Sequence, residues 1–162
     1  MKFIKKSLIV ILILTTVAIL FRGMFYRHIV TYKSVGFRSN FSAKDKKLTD
    51  YIESSIENKE NTDIDQIIKL GLSITSNQLN FTINKNDIDP NKLITSKTAH
   101  CVGYASFFIT TCKYVLKKYN LEDKWIVQQQ IGQLYFLGTN VHTYFNSSFF
   151  KDHDFVTIEN KK

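Results

Sequence analysis

The pattern of apolar and polar residues divides the chain into an apolar N-terminal run, amphipathic helices and, last, strands. Residues 7–21 form an uncharged run of fifteen residues rich in Leu, Ile and Val. Apolar residues at helical spacing then predict a helix from Ser42 to about Asn58. Asp63 and Gln66 resemble a capping box, which predicts a second amphipathic helix that ends near Asn77.

A third helix is predicted to open at Cys101 and to end near Tyr119, with a wide apolar face. Cys112 lies in the middle of that face, so we interpret it as a small buried core residue. Residues 125–138, WIVQQQIGQLYFLG, predict two strands around Gly132. HDFVTIEN, residues 153–160, predicts a last strand. Helices therefore precede strands, which is the segregated order of an α+β domain.

The connecting segments are expected to be irregular. LNFTI, residues 79–83, predicts a short extended piece, and NKNDIDPN, residues 84–91, predicts a turn around the one proline. The stretch from Leu93 to the third helix is predicted to be a polar loop. Residues 139–152 predict a loop or a short helix.

Basic residues are concentrated at the N-terminal end. Residues 1–44 contain eight Lys and Arg and no acidic residue, whereas residues 45–162 contain fourteen Lys and fourteen Asp and Glu. A basic flank beside an apolar segment attracts anionic lipid headgroups. A neutral body without a basic stripe argues against nucleic acid as a partner.

The apolar run predicts a membrane segment. Its length lies between that of a signal-peptide core and that of a full span. If the Arg22 side chain places its guanidinium at the membrane surface, the apolar segment continues to Tyr26 and is long enough to span a bilayer. We therefore expect residues 1–26 to be a single-pass transmembrane anchor or uncleaved signal, with residues 7–26 in the membrane. A cleaved signal is the alternative.

The remaining chain is divided accordingly. Residues 27–41 look like a linker or an edge strand, and residues 42–162 are predicted to form the domain. A basic N-terminal head is normally retained inside the cell, so the domain is expected to be extracytoplasmic.

Cys101 is the residue with the best reason to be reactive. A helix N-terminus favours thiolate over thiol through its free N–H groups and its macrodipole. A nucleophilic cysteine also needs a base and a group that orients the base. His28 lies beside the anchor, and His100 is a poor base because helical neighbours point about 100° apart. His142 and His153 remain, each with a plain surface or strand-end role as the alternative.

Two short motifs resemble the transglutaminase-like superfamily, which has the papain-like thiol fold. CVGYA, from Cys101 to Ala105, is similar to the family's start of the central helix, and HDF, from His153 to Phe155, is similar to its histidine strand. The resemblance covers about residues 64–160. It implies N-terminal helices and a central cysteine helix packed on a small antiparallel sheet.

The resemblance implies Cys101 as nucleophile and His153 as base. The family's aspartate on a further strand is not evident before Lys162. One alternative is therefore His142 as base with Asp154 as its partner across strands. Another is that the sequence is a shortened form of a longer protein.

These features support two functional hypotheses. The first is a membrane-anchored cysteine peptidase or amidase that acts on peptide or side-chain amides of a peptide or protein substrate, through a Cys-His pair. The second is a catalytically inactive binding or scaffolding domain of the same fold, tethered to the membrane. Neither hypothesis involves a cofactor or a metal ion.

Overall fold

The computed structural model describes residues 2–56, 62–147 and 150–161, and it confirms the α+β class. The chain begins with two helices and ends with a strand of the sheet. The helices are α1 (Lys2–Leu20), α2 (Arg22–Ile29), α3 (Lys46–Ser55), α4 (Ile64–Gln78), α5 (Pro90–Ser96) and α6 (Cys101–Lys118). The strands are β1 (Val30–Phe37), β2 (Asn80–Phe81), β3 (Thr98–Ala99), β4 (Trp125–Phe136), β5 (Thr139–Asn140) and β6 (His153–Asn160), with a 3₁₀ turn at Val141–Tyr144.

The long strand β4 organises an antiparallel sheet. Its C-terminal half pairs with β1, from Val30 opposite Phe136 to Phe37 opposite Gln130. Its N-terminal half pairs with β6, up to Gly132 opposite His153. The short strand β5 pairs with the last residues of β4, and β2 and β3 form a separate parallel pair of two residues each.

The core lies between α6, the helices α3, α4 and α5, and one face of the sheet. Its fully buried side chains include Leu48, Ile52, Ile67, Leu93, Phe107, Ile109 and Val115. Cys112 is completely buried in this cluster, which confirms its predicted role. Helices α4 and α6 approach closely at Gly71, where an added Cβ would lie 2.7 Å from the Cys112 Sγ.

The helices predicted from Ser42 and from Asp63 are present as α3 and α4, and α3 begins later than predicted. Asp45 rather than Ser42 caps α3, and its side chain accepts a hydrogen bond from the Lys47 N–H. The predicted end at Asn58 lies outside the described residues. The capping box of α4 is confirmed, because Asp63 and Gln66 each accept a hydrogen bond from the other's backbone N–H.

The predicted polar loop after Leu93 is wrong, because Leu93 lies inside the helix α5. Proline at the first position of α5 needs no N–H partner, and the Asp89 carboxylate accepts from the Asn91 N–H. Lys97 ends the helix in the left-handed conformation, with φ of 57°. The residues interpreted as a turn therefore act as a helix start.

The two strands predicted around Gly132 are one continuous strand, β4. Gly132 is required by packing rather than by a turn, since an added Cβ would lie 2.5 Å from the Phe155 ring. The actual turn comes later, at Leu137 and Gly138, where φ is 49° and 80°.

The N-terminal segment leads directly into the sheet. Residues 27–41 contain the edge strand β1, which was one of the two alternatives, so part of the expected linker belongs to the sheet. Among the described residues, no single helix is long and apolar enough to cross a membrane. Lys6–Leu20 and Arg22–Ile29 meet the length and composition test together, although they are bent by 74° at the break.

Candidate functional site

Cys101 is the first residue of α6, as the sequence predicts. His100 occupies the N-cap position but makes no side-chain capping hydrogen bond. Gly103 allows this end of α6 to pack tightly, because an added Cβ would lie 2.9 Å from the Ala99 Cβ. The thiol is half-buried, and Cys101 and Cys112 are both free cysteines.

The surroundings of Cys101 oppose thiolate formation. Burial of the thiol is the main cause and raises its pKa above the ordinary value. Hydrogen bonds from the backbone N–H groups of Asp154 and Val102 act in the opposite direction. The negative charges of Asp154 and Asp152 raise the pKa further. The expected favouring of thiolate by the helix N-terminus is therefore outweighed by burial and by two carboxylates.

The Asp154 side chain is fully buried and is held by a bidentate ion pair. The Arg38 Nε donates to one carboxylate oxygen at 2.7 Å, and the Arg38 Nη2 donates to the other at 2.9 Å. The Asp154 side chain has no exposure, while that of Arg38 is 29% exposed. Two parallel charge-assisted hydrogen bonds make this the strongest type of ion-pair geometry. Arg38 also lies 3.5 Å from Asp152.

Gln129 connects this ion pair to the start of α6. Its Nε2 donates to the Asp154 carboxylate at 2.6 Å and to the Val102 carbonyl at 3.2 Å. Its Oε1 accepts from the Ser106 hydroxyl at 3.0 Å. The buried polar network therefore joins β4, β6 and the N-terminal turn of α6, next to the thiol.

His153 lies on the other face of β6. The sequence predicts that His153 and Phe155 share one face and that Asp154 faces the opposite way, and the structure confirms this alternation. The His153 ring packs 6.1 Å from the Tyr32 ring, centroid to centroid, and the residue is exposed. Asp154 is thus the residue of β6 that faces α6.

His142 is held by backbone groups. The Leu134 N–H donates to its Nε2 at 2.9 Å, and its Nδ1 lies 2.5 Å from the Phe150 carbonyl oxygen. A backbone N–H only donates, so Nε2 is the acceptor and Nδ1 carries the hydrogen. Neither nitrogen is left to accept a proton from Cys101. Asp154 is engaged by Arg38 and Gln129, so the alternative His142–Asp154 pair is not joined by a hydrogen bond.

An apolar cleft of about 330 Å³ opens beside the thiol. Its apolar lining residues are Tyr32, Phe81, Leu134, Val141, Phe145 and Phe150. Cys101 and His153 both line it, so the two predicted catalytic residues share a cavity. Within the described residues, no cluster of three or more His, Cys, Asp or Glu side chains could hold a metal ion.

Sequence reasoning missed Arg38 and Gln129. Arg38 follows β1 in a segment that was expected to precede the domain. Gln129 belongs to QQQ, three consecutive amides within a strand, and two of them, Gln129 and Gln130, are buried. Buried amides need hydrogen-bond partners, so this run was the available signal of a polar network.

Comparison with family models, with curated proteins and with solved structures found no match to the chain.

Proposed function

We propose that this chain is a membrane-tethered, non-catalytic binding domain of the transglutaminase-like, papain-like type. Its cleft beside Cys101 takes a large apolar side chain of a peptide or protein partner. The observation that carries the proposal is the Arg38–Asp154 ion pair, because it fills the position of β6 that faces α6 beside the Cys101 thiol.

The electrostatics of the site support the absence of catalysis. A cysteine nucleophile needs thiolate, and thiolate is stabilised when an imidazolium lies beside it. The groups that act on the Cys101 thiol are the carboxylates of Asp154 and Asp152 and two backbone N–H groups. Arg38 also interacts electrostatically with Cys101, but its guanidinium is bound to the Asp154 carboxylate. Carboxylates disfavour both the thiolate and a negatively charged tetrahedral intermediate next to it.

The cleft supports binding of an apolar group. Ligand sites are concave and mostly apolar, with a few polar groups that fix orientation. Here the walls are aromatic and aliphatic, and the polar groups are the thiol, two imidazoles and the Asp152 carboxylate. An aromatic or branched aliphatic side chain of an extended peptide matches this lining.

The reactivity of the Cys101 thiol provides a test of whether the domain is non-catalytic. The rate of Cys101 alkylation by iodoacetamide is measured against pH on the full chain, with each cysteine peptide quantified by mass spectrometry. We expect the rate to rise about tenfold per pH unit through neutral pH and to level off only above the ordinary thiol pKa of about 8.5. Cys112 is the internal control, because burial raises its pKa to about 12 and shields it. A rate that is already constant below neutral pH would indicate a thiolate–imidazolium pair and overturn the proposal.

Peptide selection provides a test of whether the cleft binds a large apolar side chain. Random peptides displayed on phage are selected on the full chain in lipid nanodiscs, and enrichment of large apolar residues is expected. Phe145→Ser should abolish this enrichment, because Phe145 lines the cleft and is 48% exposed. Phe37→Ser is the matched control, since Phe37 lies on β1 and is 60% exposed. Equal enrichment on both variants would refute binding in the cleft.

A cysteine peptidase or amidase is the second candidate, favoured by the single fact that Cys101 and His153 line one cleft. In this case the Cys101 sulfur attacks the amide carbon and His153 takes the thiol proton. His153 then protonates the leaving amine, and water hydrolyses the thioester. The same alkylation profile decides between the candidates. The enzyme also requires that Cys101→Ala abolish turnover of the peptides selected by phage display.

A further inference from the structure

We infer that the β4–β5 turn and α2 form a second membrane contact, so that one face of the domain rests on the lipid headgroups. The inference rests on the proposed tether through α1. It goes beyond that tether because it assigns a lipid-binding role to a surface of the folded domain itself.

The bend between α1 and α2 fits a helix inserted in the bilayer that is followed by a helix lying at the membrane surface. The two helices meet at 74°. If α1 follows the bilayer normal, α2 therefore runs nearly parallel to the membrane surface. Phe21, Phe25 and Tyr26 are exposed at this point, beside Arg22 and Arg27. Exposed aromatic and basic residues on a short helix are typical of the interface between acyl chains and headgroups.

The β4–β5 turn lies against the end of α2. The Leu137 N–H donates to the Ile29 carbonyl at 2.8 Å, and Ile29 is the last residue of α2. The hydroxyls of Tyr26 on α2 and Tyr32 on β1 are 3.1 Å apart. A membrane surface that contacts α2 therefore also reaches the turn.

The geometry of the β4–β5 turn explains Gly138 but not Leu137. Leu137 and Gly138 both have positive φ and join β4 to β5, which is the geometry of a two-residue type I′ turn. Asn, Asp or Gly is favoured at the first position, because a leucine Cβ is strained there. Leu137 is nonetheless present and is 70% exposed, next to Phe136 at 50%. A strained, exposed leucine at a turn tip indicates selection for contact with an apolar phase.

The charge around this surface identifies the occupant as an anionic bilayer. Residues 1–44 contain eight basic residues and no acidic one, and they include α2 and β1. Basic side chains near a membrane bind anionic headgroups. An acidic soluble protein would match the charge but not the apolar turn tip beside a membrane helix.

Quenching of tryptophan by brominated lipids tests the contact. Leu137→Trp is made in a Trp125→Phe background, so that it carries the one tryptophan. The full chain is reconstituted in vesicles of brominated phosphatidylcholine, with or without phosphatidylglycerol. Phe136→Trp is a second probe in a regular strand position. Phe21→Trp reports the tether, and Leu72→Trp, at an exposed leucine of α4, is the control.

We expect both turn probes to lose a fraction of their emission comparable with that of Phe21→Trp. The loss should be larger with phosphatidylglycerol, and Leu72→Trp should keep its emission. If only Phe21→Trp is quenched, the chain is tethered but the turn contact is overturned. If Phe21→Trp is not quenched, the tether and the inference fail together. Equal quenching of Leu72→Trp would also overturn the inference, because the contact would not be specific to this face.

Discussion

Removing the charge of Arg38 should strongly destabilise the domain. Arg38→Gln leaves the fully buried Asp154 carboxylate without its cation. Breaking a buried ion pair by removing one partner costs about 3–5 kcal/mol. The Arg38 side chain is 29% exposed, so water reaches the Arg38 side of the ion pair. Gln129 also still donates a hydrogen bond to the Asp154 carboxylate. We therefore expect a loss near the lower end, about 3 kcal/mol in the free energy of unfolding.

The assay is urea unfolding of the full chain in detergent, followed by fluorescence of Trp125, which packs against the core. Arg27→Gln is the matched control, because Arg27 is exposed on α2, and its effect should be within about 0.5 kcal/mol. The double variant Arg38→Gln with Asp154→Asn should lose about 2 kcal/mol less than the sum of the single variants. A loss below about 1 kcal/mol for Arg38→Gln would refute the view that this ion pair holds the site together.

Particular contacts give four further predictions. Asp154→Asn should lower the pKa of the Cys101 thiol, because a repelling carboxylate is removed. Alkylation of Cys101 at a pH below that pKa should then be faster, because a larger fraction of the thiol is ionised. Gly132→Ala should cost about 1–3 kcal/mol in urea unfolding, since the new Cβ meets the Phe155 ring, and Phe155→Leu should relieve part of the loss. Burial raises the pKa of Cys112 to about 12, so native Cys112 stays protonated where the unfolded thiol ionises. Above about pH 8.5, this residue should reduce stability by about 1.4 kcal/mol per pH unit, and Cys112→Ala should remove that part of the slope. Leu137→Asn should raise stability by about 1 kcal/mol, because asparagine tolerates positive φ, and an unchanged or lower urea midpoint would contradict the strain at the turn.

The helices were predicted well because the residues that start and end a helix lie next to one another in the sequence. The capping box at Asp63 and Gln66 and the helix start at Cys101 both appear where the pattern places them. The strand HDFVTIEN and its alternation were also predicted, since period two is read directly from the residues. Packing was not predictable in the same way. Gly132 looked like a turn, and only the position of the Phe155 ring explains it as a close approach.

The site was predicted in part. Cys101 was placed at the helix start, and the two faces of β6 were assigned correctly, but the chemistry of the thiol was not. A helix N-terminus favours thiolate, yet burial and the carboxylates of Asp152 and Asp154, at the start of the distant strand β6, outweigh it. Arg38 is separated from Asp154 by 116 positions in the chain, so local pattern reasoning could not join them. Long-range pairs of this type become visible only when β1 is known to border β4.

The position of Asp154 gives a physical reason why a base on the α6 side of β6 would reduce stability. A base on the α6 side of β6 would have to occupy the position of Asp154, whose carboxylate Arg38 and Gln129 hold. A neutral imidazole there would remove the bidentate partner of Arg38 and leave its partly buried guanidinium with the 3.5 Å contact to Asp152, at a cost in stability. His153, on the exposed face, avoids that cost, packs beside Tyr32 and lines the cleft that Cys101 also lines. The buried ion pair therefore stabilises the junction of α6 with the sheet through the strand position that a histidine facing α6 would need.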